Sequence, residues 1–182
     1  MDDERALLFY ERMYFHELDN REKLTARLQL SLAILTALVA LLAYIVSRTT
    51  LQSGPGPFAV AAFLVSFASS TATLSASAWF FIRALWGHSY ECLPVATEIE
   101  KYRELLAETY KDYPDGDSLT ATHHKRFLVR YFAECASVNA SVNQRRYELL
   151  HDCVSCTVYA LPALVLLGLV FRFGGFESRI AN

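Results

Sequence analysis

The sequence predicts an all-α integral membrane protein with about three transmembrane helices, a hairpin plus a third span, carrying cytosolic helical extensions. Two observations predict it. Hydrophobic residues make up 53% of the 182-residue chain, and they gather into three long runs that hold no Asp, Glu, Lys or Arg. The charged residues, 20% of the chain, crowd into the stretches between those runs. A helix needs about 20 mostly apolar residues to cross the hydrocarbon core. Residues 28–46 supply 19, residues 57–82 supply 26, and residues 153–171 supply a third run of 19. Pro162 and Gly168 interrupt only the last, and a membrane helix tolerates both because nearby groups satisfy the freed carbonyl.

The layout read from these runs has seven parts. An amphipathic cytosolic helix at 1–27 leads into a first span at 28–47, and an outer loop at 48–56 leads to a second span at 57–86. A cytosolic helical region at 87–151, a third span at 152–173 and an outer tail at 174–182 complete it. Orientation follows from Lys and Arg: 14 of the 17 lie before residue 28 or between 83 and 146. Cytosolic segments carry such an excess, so the N-terminus and central region are expected in the cytosol. Residues 2–23 are dense in charge, unlike a signal sequence, and the first apolar run is expected to remain in the mature protein. On this topology Asn139-Ala140-Ser141, a glycosylation acceptor by pattern, faces the wrong compartment.

Local signals fill in the elements. Leu7, Tyr10, Tyr14 and Leu18 form one apolar helical stripe, and no Gly or Pro intervenes before Leu28, so the arm should continue into the first span. Gln52-Ser53-Gly54-Pro55-Gly56-Pro57 reads as a tight turn, with Pro57 in the first turn of the second span. Trp79, Trp86 and Tyr90 fit an inner interfacial belt. Leu93-Pro94 is expected to break that helix, and 97–110 reads as a short charged helix. After a turn at Pro114-Asp115-Gly116-Asp117, with Ser118 or Thr120 as cap, one continuous helix should run through the third span.

Composition excludes several classes. A net charge of −2 does not suggest a nucleic-acid binder. Four scattered cysteines make no disulfide framework, and the Cys153-x-x-Cys156 pair lacks a partner motif. His16 and Glu17 point about 100° apart on a helix, which argues against a metal site. Asp152 enters the third span near the interface, where it can stay hydrated. No phosphate loop, zinc motif or nucleophile elbow is present, so neither an enzyme nor a cofactor is expected.

Three patterns could carry function. Ser66, Ser70, Thr73 and Ser77 repeat at steps of 4, 3 and 4 and line one face of the second span, with Ala68, Ala72 and Ala76 opposite. The hydroxyl face either lines a water-filled path, the alanines packing on a neighbouring helix, or simply permits close packing. Leu128, Tyr131, Cys135, Val138 and Val142 form a coiled-coil-like seam beside Asn139, Asn143 and Arg146. These residues either join copies of the chain or bond to the 97–110 helix. His123, His124, Lys125, Arg126 and Arg130 form a basic patch that suits an anionic ligand, lipid headgroups or the positive-inside charge alone.

Met13-Tyr14-Phe15-His16-Glu17-Leu18-Asp19, then Arg21-Glu22-Lys23-Leu24, and Asn139 with Asn143-Gln144-Arg145-Arg146 ahead of the third span complete the pattern. The layout resembles small bacterial inner-membrane proteins encoded beside nucleotidyltransferase-like enzymes in anti-phage loci, the Hailong-type membrane effectors. The resemblance implies a homo-oligomeric channel in the inner membrane that depolarises the infected cell when open. It also implies gating through the cytosolic helices by a nucleotide or oligonucleotide made by the partner enzyme. The competing expectation is a non-conducting adaptor that recruits a partner through Phe9, Tyr10, Tyr14 and Phe15.

Overall fold

The computed structural model describes residues 3–49 and 56–176. Residues 52–55 of the turn expected at 52–57, and the tail beyond Phe176, lie outside the described residues. Four α-helices and no β-strand are present among the described residues: α1 (Asp3–Arg48), α2 (Pro57–Leu85), α3 (Ala96–Tyr110) and α4 (Gly116–Phe173). Helices α1, α2 and α4 are each long and apolar enough to cross a membrane.

Helix α1 runs 46 residues without a break because no Gly or Pro lies within it. Asp3 and Glu4 in its first turn and Arg48 in its last complement the helix dipole. Helix α2 opens with Gly56 as N-cap and Pro57 at a position where a missing N–H is harmless. It stops at Leu85, ahead of the Leu93-Pro94 break read from sequence. Trp86 turns extended, and Gly87 takes a φ of 85°, a conformation that a side chain disfavours. Helix α4 spans 58 residues and carries Pro162 without ending. It starts at Gly116, so Ser118 and Thr120 lie in its first turns and are not the cap.

The chain forms two compact units. One holds residues 1–24 and 88–145, the other 25–87 and 146–182. In the first, Tyr14, Phe132, Cys135 and Ala136 are buried, with Leu7, Tyr10, Leu18, Leu93 and Leu128 packed around them. The stripe Leu7–Tyr10–Tyr14–Leu18 is thus the face that α1 turns toward α4. Edge-on contact of Tyr14 with Phe132 at 5.7 Å, and stacking of Tyr102 on Phe127 at 4.2 Å and Tyr110 on His123 at 5.3 Å, tie α1 and α3 to α4. Each such aromatic pair adds about 1 kcal/mol beyond area burial.

The second unit packs Leu35 and Ile45 of α1, Phe63 and Leu74 of α2, and Ala160, Leu164, Leu167 and Phe171 of α4 around one core. Its patterning is inverted relative to a water-soluble bundle. Ser66, Ser70 and Ser77 are buried, whereas Leu30 and Tyr159 are 65% and 70% exposed. Only 11%, 17% and 22% of the apolar windows of α1, α2 and α4 are covered by the chain itself. Water does not tolerate an apolar surface of that extent; lipid does.

Gly116 closes the α3–α4 turn. A Cβ there would lie 2.2 Å from the Tyr110 carbonyl oxygen, a backbone atom with no freedom to swing away. Gly116→Ala should therefore cost about 1–3 kcal/mol, an overpacking penalty, read as a lower midpoint of thermal unfolding in detergent.

Candidate functional site

The hydroxyl face of α2 lies against the chain's own helices. Ser66 donates to the Ala62 carbonyl at 2.8 Å, Ser70 to Ser66 at 2.7 Å, and Thr73 to Ser69 at 2.9 Å. These bonds satisfy each hydroxyl on its own helix and let a neighbour approach closely. Ser77 instead reaches α4: its Oγ is 3.0 Å from the Cys153 carbonyl oxygen and 2.8 Å from the Thr157 Oγ1. Thr157 lies 2.9 Å from the same carbonyl. Thus Ser66, Ser70 and Ser77 form a buried helix-packing seam within one copy, with Thr73 half-buried at its edge. The opposite side carries Ala68, Thr71, Ala72 and Ser75, all exposed, with Ala76 half-buried beside them.

The polar residues read from sequence either as contacts between copies or as partners of the 97–110 helix bond to other parts of the same chain. Asn139, fully buried, reads the main chain of one residue: its Oδ1 accepts from the Glu91 N–H at 2.9 Å and its Nδ2 donates to the Glu91 carbonyl at 3.0 Å. This pins the non-helical segment that follows α2. Asn143 donates to the Glu17 carbonyl at 2.8 Å and to the Glu17 carboxylate at 2.9 Å. It accepts from the Tyr90 hydroxyl at 2.7 Å, and the Arg21 guanidinium lies 4.6 Å from the centre of the Tyr90 ring. The partners are α1 and the 88–91 segment, not α3. Within the other unit Arg146 is buried, and its Nε donates to the Ala84 carbonyl at 3.1 Å, in the last turn of α2, where a cation also meets the negative end of the helix dipole. With both amide atoms engaged, Asn139 offers nothing to glycosylation. Of the seam residues, Tyr131 packs on Phe127 at 4.7 Å, Val142 is half-buried and Val138 is exposed.

The basic patch does not converge on a common point. His123 is stacked on Tyr110, and the His124 ring lies parallel to Phe127 at 6.4 Å. Arg126 pairs with Asp3 at 3.2 Å and Arg130 with Glu134 at 2.7 Å. Lys125 is half-buried. Both arginine pairs are solvent-exposed, where water and salt screen an ion pair and leave it little effect on stability. Among the described residues, no three of His, Cys, Asp and Glu are placed to hold a metal ion.

Two groups in the α1–α4 contact have shifted acidity. Burial pushes both the Tyr14 hydroxyl and the Cys135 thiol above their ordinary values, with the nearby Glu91 and Cys92 raising Cys135 further. Neither is set up as a nucleophile, because a raised thiol pKa leaves less thiolate at neutral pH.

No known family matches the chain, and no curated protein or solved structure matches it. What the helices define is an all-α membrane protein with three candidate spans.

Asn139→Ala should remove both hydrogen bonds to the Glu91 main chain, at about 1–3 kcal/mol. The expected readout is faster chymotryptic cleavage at Tyr90 together with earlier thermal unfolding; unchanged cleavage would refute the clasp. Cysteine labelling provides a second check. Maleimide should modify exposed Cys92 at least about tenfold faster than Cys135, and raising the pH should narrow the gap by supplying thiolate at the buried site.

Proposed function

We propose that this chain is a subunit of a homo-oligomeric membrane channel. One observation carries the reading. The side of α2 that the chain leaves uncovered presents, in mid-span, Ala68, Thr71, Ala72 and Ser75. Above and below them the same side presents bulky apolar groups, Val65 and Trp79. A surface meant only for lipid gains nothing from hydroxyls and small side chains, whereas a neighbouring helix or a hydrated path suits both. Three helices cannot enclose a pore, so conduction requires several copies.

On this reading the buried hydroxyls Ser66, Ser70 and Ser77 hold the subunit together, and Thr71 and Ser75 face the path or the neighbouring copy. The positive-inside excess sets the N-terminus in the cytosol. The resemblance to Hailong-type effectors supplies the setting: the bacterial inner membrane, anti-phage defence, and depolarisation on opening. It also supplies the gate, a nucleotide or oligonucleotide from a nucleotidyltransferase partner acting on the cytosolic helices. Because Arg126 and Arg130 are ion-paired, an anionic regulator at that patch has to displace Asp3 and Glu134.

A second reading has its own observation. Leu8, Phe9, Met13 and Phe15 are exposed on the charged, non-spanning part of α1, as an adaptor that recruits a soluble partner requires. Phe9 and Phe15 serve that reading; Tyr10 and Tyr14 pack inward.

Reconstitution discriminates. Thr71→Leu with Ser75→Leu should abolish conductance in a planar bilayer while leaving insertion and the oligomer's size in detergent readable. Unchanged currents would remove this face from the channel, and a strictly monomeric wild type that passes no current would favour the adaptor.

A further inference from the structure

We infer that a groove between α1 and α4, at the end of the second unit where both helices enter their apolar runs, is a binding site for an anionic phospholipid. The groove has a volume of ≈ 280 Å³ and is lined by Arg27, Leu30 and Ser31 of α1 and by Tyr147, Leu150, His151 and Val154 of α4. Spacings of 3 and 4 on each helix bring these side chains onto two facing sides.

Its chemistry is graded from mouth to floor. Arg27 lies with its guanidinium 6.0 Å from the centre of the Tyr147 ring, and His151 stands one turn beyond Tyr147 on the same helix. Leu150 is buried at the base, while Leu30 and Val154 are exposed along the sides. Among the described residues no carboxylate lines the groove, and the adjacent Asp152 lies outside it. A guanidinium and an imidazole donor therefore face one opening, beside the Ser31 hydroxyl, which donates to the Arg27 carbonyl at 3.1 Å.

Position selects the occupant. Arg27 is the last charge before the uncharged run that begins at Leu28, and His151 and Asp152 precede the run that begins at Cys153. The polar rim thus lies where headgroups meet hydrocarbon, with the apolar sides extending into the acyl region. A phosphodiester at Arg27 and His151, with an acyl chain along Leu30 and Val154, matches both ends of the groove. A zwitterionic headgroup would set its own ammonium beside Arg27, which favours lipids of net negative charge. This inference stands apart from the channel reading, since it requires neither conduction nor more than one copy.

Native mass spectrometry of the full chain, in detergent micelles holding equal phosphatidylglycerol and phosphatidylcholine, tests it. The wild type should retain phosphatidylglycerol preferentially, and Arg27→Gln should weaken that retention about five-fold, the effect of one cation near an anionic headgroup. Ser31→Trp keeps both basic groups and fills the groove; it should lose the lipid as well, and it decides between the outcomes if Arg27→Gln does not fold. Equal retention of the two lipids, or retention that neither variant changes, would overturn the assignment. Displacement of the bound lipid by inorganic phosphate alone would overturn it too, by showing that the site reads a free anion.

Discussion

The structure depends on one constraint: in three uncharged stretches, hydrocarbon leaves each backbone amide no partner except one in its own helix. That constraint keeps α1, α2 and α4 unbroken through their apolar runs, while the charged parts of α1 and α4 continue because neither Gly nor Pro interrupts them. It also explains why Ser66, Ser70, Thr73 and Ser77 turn inward or bond back to their own backbone. Ser70 with the Ser66 carbonyl, and Ser77 with Cys153 and Thr157, are local solutions to the same shortage of partners. Outside the apolar runs a different logic holds. There the helices are joined by ring stacking and by amide side chains that grip the main chain, and the exposed ion pairs contribute little.

Much of the architecture could be read from residue order because it rests on periodicity and on the absence of breakers. The apolar stripe Leu7–Tyr10–Tyr14–Leu18 gave the buried face of α1, and the lack of Gly or Pro gave its length. The end of α2 was harder to place. Leu93-Pro94 is the stronger breaker on paper, but Gly87 in the left-handed region ends the helix first. The period of the hydroxyl face was equally plain, but not its direction. Both sides of α2 carry small residues, and in lipid the usual rule that polar faces outward no longer decides.

The partners of Asn139, Asn143 and Arg146 had no sequence signal. These residues bond to the main chain at Glu91, Glu17 and Ala84, and a carbonyl is present at every position of any sequence. The basic run at 123–126 suggested a single patch because it is compact along the chain. On a helix its members diverge by about 100° per residue, and they meet different neighbours: Tyr110, Phe127 and Asp3.

The clasp on Glu91 has an asymmetric consequence for how this protein can vary. Asn139 recognises a peptide unit and ignores the side chain it belongs to. Position 91 can accept almost any residue other than proline, which would delete the donated hydrogen. Position 139 has no such latitude, since only a short amide side chain offers a donor and an acceptor at that reach. In a set of diverged copies, the recogniser would stay constant while the recognised residue drifts.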